Sequence, residues 1–246
     1  MKEVITIISR KGGTGKTTSA ASLAAALKNK GYKTLLIDLD AQRNLTAATG
    51  AKFTGLNITD LLTGSATAEE TIQHTQNGDI ITASPFLAGA DIAMNSDKEL
   101  KEAIQPLLSK YDYILIDTPP NYGKLTRNAL TAATSAIITL QAATFSFQGL
   151  EEAARAIDQI KPINPDLKLR GVIITNYAGK SNKVKNLLED LRTQAKKYNT
   201  VVLDPPIRAT DKVTEAQAEQ INIIDYAPKS TAAQCYIAIA DIIEQW

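Results

Sequence analysis

Short apolar runs alternate with segments of helical periodicity along most of the chain. The runs are VITII (4–8), TLLID (34–38), DIITA (79–83), YILID (113–117), AIITL (136–140), LRGVIIT (169–175) and TVVL (200–203). Several of them are apolar at successive positions, which is typical of parallel strands covered by helices on both faces. The pattern therefore predicts an α/β fold with a doubly wound, mostly parallel sheet flanked by helices.

The segments between the runs carry apolar residues at helical spacing. A helix is predicted from about Lys16 to Lys30, directly after the first strand. A second helix, over 181–198, has an apolar stripe made of Val184, Leu187, Leu188, Leu191, Ala195 and Tyr198. A last helix, over about 230–244, is expected to bury Tyr236, Ile237, Ala240 and Ile243. Because no Pro/Gly-rich linker interrupts the pattern, we expect one domain over 1–246, without an N-terminal helix-turn-helix domain.

The composition narrows the chemistry. Apolar residues make up 44% of the chain and charged residues 22%, which is ordinary for a globular protein. Cys235 is the single cysteine and His74 the single histidine, so disulfides within the chain and a Cys/His metal site are not expected. No apolar run approaches the length of a membrane span. These features favour a cytoplasmic protein.

Positive charge is concentrated in two regions, although the net charge is only +1. Residues 1–33 hold seven basic and one acidic side chain, and residues 180–212 hold eight basic and four acidic ones. Such local clustering points to anionic ligands at two places on a nearly neutral protein.

The first basic region contains a glycine-rich loop, SRKGGTGKTT (9–18), between the first strand and the first helix. Its glycines permit a tight turn with inward N–H groups, and the helix adds its positive end, so the loop predicts phosphate binding. Lys16 is expected to reach the β- and γ-phosphates and Thr17 to hold Mg²⁺. Arg10 occupies the position of the first glycine in the usual G-x-x-x-x-G-K-[ST] pattern, and Lys11 follows it. The predicted nucleotide-binding residues of the loop are Gly12, Gly13, Thr14, Gly15, Lys16, Thr17 and Thr18.

Acidic residues follow two further strands, at the edge of the sheet where the loop should lie. Asp38 ends TLLID, Asp40 lies two residues further on, and Asp117 ends YILID. We expect Thr17, Asp38 and Asp117 to serve the Mg²⁺ site and Asp40 to orient the attacking water. The alternative is that these acids are solvated loop residues or helix caps.

Two candidates for base recognition lie later in the chain. Asn176 ends the strand GVIITN, and Pro206 belongs to the segment DPPIR (204–208) that could close over the base. Each could equally have only a structural role, Asn176 by capping the strand exit.

The motifs of this chain resemble those of a known family. KGGTGKTT (11–18) resembles the deviant Walker A loop of the ParA/MinD group of P-loop ATPases, in which a signature lysine precedes the glycines. LLIDLDAQRN (35–44) is similar to that group's DLDPQGN, with Ala41 and Arg43 where the family often has Pro and Gly. Further blocks that look like ParA-type partition ATPases are IDTPP (116–120), LTRNALTAA (125–133), LQAATFSFQGL (140–150) and EAQAEQINIIDYAPKSTAAQCYIAIADII (215–243).

The resemblance implies an ATPase with ATP and Mg²⁺ as cofactors that forms a nucleotide-sandwich homodimer. It implies that Lys11 reaches the partner's phosphates, so that Lys11, Lys16 and Asp40 are the expected catalytic residues. It also implies non-specific DNA binding on the nucleoid and a ParB-like centromere-binding partner that stimulates slow hydrolysis. Asp225 stands where relatives often carry a basic DNA-contacting residue.

The second basic region is the candidate DNA-binding surface. Its candidate residues are Lys183, Arg192, Lys196, Lys197, Arg208 and Lys212. A solvated helix face is the alternative.

A MinD-like membrane-positioning ATPase is a second functional hypothesis, which the acidic end AIADIIEQW disfavours. The single Cys235 argues against iron–sulfur carriers and nitrogenase-reductase relatives, which need a two-cysteine motif.

Overall fold

A mostly parallel sheet forms the centre of the computed structural model, which describes residues 3–87, 89, 94–142, 146–179 and 181–246. Its strands are β1 (Glu3–Ile8), β2 (Thr34–Asp38), β3 (Ile72–Thr75), β4 (Gly78–Ile81), β5 (Tyr113–Asp117), β6 (Ser135–Gln141), β7 (Lys168–Thr175) and β8 (Val202–Leu203). Their order in the sheet is β3-β4-β2-β5-β1-β6-β7-β8, and only the β3–β4 pair is antiparallel. The predicted fold class is confirmed.

Helices cover both faces of this sheet. They are α1 (Lys16–Asn29), α2 (Asn44–Ala48), α3 (Ile58–Leu62), α4 (Glu99–Ala103), α5 (Lys124–Ala132), α6 (Ser146–Ile160), α7 (Asn182–Lys197), α8 (Asp211–Ala218), α9 (Ile223–Tyr226) and α10 (Thr231–Glu244). Alternate residues of each central strand point to opposite faces, as the period of a strand requires. Val4 and Ile8 pack in one apolar cluster with α5, α6 and α7, whereas Ile5 and Ile7 pack in the other with α1 and α10.

Three details differ from the sequence prediction. The edge strand β3 lies in a region with weak patterning, since it is only partly buried and its residues do not alternate. Strand β4 begins one residue before the run DIITA and ends two residues before that run does, and β8 covers only the last two residues of TVVL. Ile237 of α10 is half-buried, although its neighbours Tyr236, Ala240 and Ile243 are buried as expected.

Two further points concern single segments. The block LQAATFSFQGL crosses residues 143–145, which lie outside the described residues. Among the helices that the structure describes, none combines the length and the apolar character needed to cross a membrane.

Candidate nucleotide-binding site

The phosphate loop lies at the carboxyl end of β1 and contacts the carboxyl ends of β6 and β7. Gly13 and Gly15 adopt φ values of 73° and 84°, the left-handed region that glycine enters without a steric penalty. Gln141, at the end of β6, donates a hydrogen bond from Nε2 to the Gly13 carbonyl at 2.7 Å. Thr175, at the end of β7, donates from Oγ1 to the Thr14 carbonyl at 2.8 Å. The ends of β6 and β7 thus fix the loop backbone.

The loop forms one wall of a cavity of about 700 Å³. Every predicted phosphate-binding residue from Gly12 to Thr18 lines this cavity, together with Asp40 and Asn176. A volume of this size suits a nucleotide-sized ligand. The structure therefore brings the loop, the acid Asp40 that is predicted to orient water, and one of the two base-recognition candidates to the same cavity.

Lys16 is buried in the first turn of α1, close to the acidic residues of the site. Burial lowers the pKa of its ammonium group, and the nearby Asp117 and Asp40 carboxylates oppose that shift. A buried ammonium group is stabilised by anionic partners, so the cavity favours a ligand that carries negative charge.

Thr17 and Asp117 form the best candidate metal site. The Thr17 hydroxyl donates to Asp117 Oδ2 at 2.6 Å, while Asp117 Oδ1 is buried without a hydrogen-bond partner among the described residues. In the described part of the chain, no group of three or more His, Cys, Asp or Glu side chains could hold a metal by itself. Magnesium takes only one or two carboxylates and completes its shell with phosphates and water, so these oxygens fit Mg²⁺.

Asp38 lies next to Asp117 but has a different environment. The two residues are register partners in the β2–β5 pair, and both are fully buried. Asp38 Oδ2 accepts hydrogen bonds from the backbone N–H and the hydroxyl of Thr46, each at 2.8 Å, and Oδ1 accepts from the Asp40 N–H at 3.0 Å. The Asp38 carboxylate therefore anchors the loop that carries Asp40, and no hydrogen bond joins it to Thr17. Its place in the predicted metal set stays a prediction.

Burial has a common effect on the two acids. It is the largest cause that raises the pKa of both Asp38 and Asp117, and Asp38 raises the pKa of Asp117 further by charge repulsion. Opposing hydrogen bonds from Thr46 limit the shift at Asp38. At Asp117, the hydrogen bond from the Thr17 hydroxyl and the positive charge of Lys16 lower the pKa and so oppose the effect of burial. Two neighbouring buried acids favour a cation between them and the phosphates.

Lys11 lies outside the nucleotide cavity. It is exposed, and it lines a separate cavity of about 360 Å³ with Arg10, Gln148 and Glu152. Arg10 is held there by an ion pair with Glu152 at 2.9 Å. The two lysines of the loop thus have different surroundings, since Lys16 is buried inside the site and Lys11 faces outward.

Several residues that line the cavity are not among the predicted nucleotide-binding residues. Asn176 lines the cavity with a φ of 51°, whereas Pro206 is not among the lining residues. The Pro206 carbonyl instead accepts a weak hydrogen bond from Cys235 Sγ at 3.5 Å. Instead, the residues directly after Pro206 line the cavity. The additional lining residues are Ile207, Arg208, Ala209, Thr210, Val213, Thr214 and Gln217.

The six candidate DNA-binding residues do not form one surface of unpaired charge. Arg192 bonds Asp204 at 2.5 Å and Glu189, and Lys212 bonds Glu215 at 2.6 Å. Arg208 lines the nucleotide cavity. The remaining three, Lys183, Lys196 and Lys197, are exposed on α7 and form no ion pair with a described residue.

Comparison with known proteins finds a matching family model, as well as proteins that are similar over nearly the whole chain. A family model described as "AAA domain" matches residues 2–169. The chromosome partitioning protein ParA of Myxococcus xanthus is 34% identical over 245 residues, covering 96% of this chain and 86% of that protein. The sporulation initiation inhibitor protein Soj of Bacillus subtilis is 34% identical over 251 residues, covering 98% and 97%.

Solved structures with the same fold include nucleotide complexes. Cobyrinic acid a,c-diamide synthase from Mycobacterium smegmatis, crystallised with ADP and magnesium, has a TM-score of 0.86 and 33% identity, covering 100% of this chain and 95% of that one. The septum site-determining protein MinD of Pyrococcus horikoshii, complexed with Mg-ADP, has a TM-score of 0.82 and 27% identity, covering 100% and 97%.

Proposed function

Because this chain belongs to the ParA/MinD family of P-loop ATPases, we propose that it is a DNA-partition ATPase whose ATP-bound homodimer binds DNA without sequence preference. Hydrolysis, stimulated by a ParB-like centromere-binding protein, then releases the DNA. The cofactors are ATP and Mg²⁺, since relatives of this fold hold ADP with magnesium and the Thr17–Asp117 oxygens fit the ion.

The observation that carries this proposal is the contrast between the two loop lysines. Lys16 is buried among the acids of its own cavity, where it neutralises phosphate charge. Lys11 is exposed outside that cavity, where it is available to a second protomer. A dimer that brings Lys11 to the partner's phosphates makes ATP binding and dimerisation one event.

The side chains divide the work of hydrolysis. Lys16 and the loop N–H groups hold the phosphates, and Thr17 with Asp117 would hold Mg²⁺, which neutralises negative charge on the phosphates. Asp40 lines the cavity, and its Oδ1 accepts a hydrogen bond from the Gln42 N–H at 3.0 Å, which fixes the carboxylate in its loop. This placement suits a group that orients the attacking water.

The experiment compares DNA binding without nucleotide, with ADP and with ATP, in wild type, Lys11→Ala and Lys16→Ala. The matched control is Arg10→Ala, which removes a neighbouring cation that Glu152 already pairs. We expect ATP to strengthen DNA binding in wild type and Arg10→Ala but not in either lysine variant. If ATP has no effect in wild type, or if Arg10→Ala behaves like Lys11→Ala, the proposed switch is wrong.

A second measurement separates ATP binding from turnover. Asp40→Ala should still form the ATP dimer but should lose hydrolysis, because the water is no longer oriented while the phosphate contacts remain. Light scattering measures the dimer, and phosphate release measures turnover. Unchanged hydrolysis would exclude Asp40 from this role.

A sedimentation assay with anionic vesicles and ATP tests the MinD-like alternative, and co-sedimentation without DNA binding would favour it.

A further inference from the structure

A second groove, of about 520 Å³, lies at the opposite end of the sheet from the nucleotide cavity. We call it the β7 groove, because it lies where β7 begins and β8 approaches. Its lining includes Asp158, Lys161, Lys168, Arg170, Lys197 and Thr200. The lining residues come from the end of α6, the loop before β7, the start of β7, the end of α7 and the segment between α7 and β8.

The lining of the β7 groove is strongly basic. Lys161, Lys168, Arg170 and Lys197 face a single acidic lining residue, Asp158. Lys161 bonds Asp158 at 2.9 Å. Lys168 and Lys197 are exposed and form no ion pair with any described residue. The groove therefore carries uncompensated positive charge.

Two polar groups in the groove wall lack a partner. Thr200 is only 5% exposed, and its Oγ1 has no hydrogen-bond partner among the described residues. The Nε of Arg170 is also buried without one, although another nitrogen of the same side chain lies 3.5 Å from Glu3. Because both atoms are almost inaccessible to solvent, the attraction of the groove for an anion rests on the exposed Lys168 and Lys197 rather than on these groups.

Three of the other basic candidates are engaged elsewhere, and the exposed Lys183 and Lys196 do not line the groove. Arg192 and Lys212 are neutralised by acids, and Arg208 faces the nucleotide cavity. Only Lys197 of the six sequence candidates lines the β7 groove, where three cations from other elements join it. We infer that the phosphate backbone of duplex DNA docks in the β7 groove, a site that rests on the proposed DNA-binding function. Lysine and arginine side chains around an open groove provide the charge that such sequence-independent binding requires.

The position of the groove determines how ATP could influence it. Lys168 begins β7, and Thr175 at the other end bonds the phosphate loop. Seven strand steps separate the two residues by roughly 23 Å. DNA in the β7 groove therefore cannot touch the bound nucleotide. ATP strengthens binding only by joining two protomers, so that two grooves engage one DNA molecule.

The test uses the double variant Lys168→Gln/Lys197→Gln, which removes the charge of both exposed side chains while keeping them polar and only one bond shorter. The control is Lys183→Gln/Lys185→Gln, an equal charge change at the other end of α7, about 21 Å away along the helix. Binding of wild type and both variants to a fluorescent duplex is measured with ATP over a range of salt concentrations. Melting temperatures confirm that each variant is folded.

We expect the groove variant to bind more weakly and to lose about 0.9 from the slope of log K against log[salt] per phosphate contact, or about 2 for each groove. The control should keep the wild-type slope. If wild type binds with ATP but the groove variant keeps its affinity and slope, the groove is not the DNA site and the proposed function survives. Equal losses in both double variants would also overturn the groove, since net charge alone would then explain them. If wild type shows no ATP-dependent binding, both proposals fail.

Discussion

Asp117 provides a sharp test of how the site is built, because its carboxylate is fully buried with few partners. It accepts one hydrogen bond, from Thr17, and its second oxygen has none among the described residues. Burial first, and then the adjacent Asp38 charge, raise the pKa of Asp117 from 3.8 to about 8. The perturbation we consider is Asp117→Asn, which keeps the shape and removes the charge.

The sign of the expected effect follows from linkage. Because the pKa of Asp117 is raised in the folded state, the contribution of this residue to stability is fully present below pH 3.8. That contribution is lost as the pH rises through about 8. A pKa difference of one between the folded and unfolded states corresponds to about 1.4 kcal/mol. The free energy of unfolding of the metal-free protein is therefore lower by on the order of 5 kcal/mol at pH 8.5. Asparagine avoids this loss but buries an unpaired amide, at about 1–3 kcal/mol. The variant should therefore be more stable by about 2–4 kcal/mol at pH 8.5, with little difference near pH 5.

The assay is thermal unfolding in EDTA without nucleotide, at pH 5 and pH 8.5. For a chain of this length, about 2–4 kcal/mol corresponds to a melting temperature higher by roughly 4–16 °C. Asp166→Asn, at an exposed acid, is the control for net charge and should match wild type. With ATP and Mg²⁺ the order should reverse, because the amide cannot supply the anionic oxygen. A destabilised Asp117→Asn at pH 8.5 without metal would refute the reasoning.

Three further substitutions test the loop and its anchors. Gly15→Ala should destabilise the protein by about 1–2 kcal/mol and weaken ATP binding in calorimetry, because φ is 84° and the new Cβ would lie 3.1 Å from Thr175 Cγ2. Arg43→Gly should be more stable than Arg43→Ala by about 1 kcal/mol in urea unfolding, because both lose the cation–π contact but residue 43 has a φ of 57°. Thr46→Val should cost about 2–4 kcal/mol in the same assay, since the hydroxyl donates to Asp38 and accepts from a buried N–H at 3.0 Å. A Thr46→Val variant as stable as wild type would show that the anchor of the Asp40 loop is dispensable.

The sequence predicted the central strands because each is apolar on both faces, and this signal is independent of tertiary context. It did not predict β3, whose half-buried residues show no clear period. A local signal was present, since Asn77 and Gly78 form a dipeptide typical of hairpin turns and Gly78 has a φ of 124°. An edge strand buries little surface, so its turn is more informative than its pattern.

For the site, the sequence predicted the residues that are neighbours in the chain and missed those that only the fold brings together. Residues 12–18 are contiguous, and their spacing alone indicates a phosphate loop. The position of Arg208 at the nucleotide cavity depends on the path of the chain after β8, which no periodicity specifies. The β7 groove likewise joins Lys161, Lys168 and Lys197 from separate elements. A count of basic residues in one segment cannot find such a cluster.

The separation of the two sites along β7 restricts how ATP can control DNA binding. Thr175 ties the phosphate loop to the carboxyl end of β7, and Lys168 lies at its amino end, where it pairs with Ser135 of β6. Between these ends, Val172 and Ile173 are paired with β6 on one side and β8 on the other, so we expect no second arrangement of β7 through which a local signal could pass. A protomer that cannot dimerise should therefore keep its weak, salt-sensitive affinity for DNA and lose only the increase caused by ATP. On this view Lys11 controls DNA binding without lying near DNA, because it determines whether one groove or two are available.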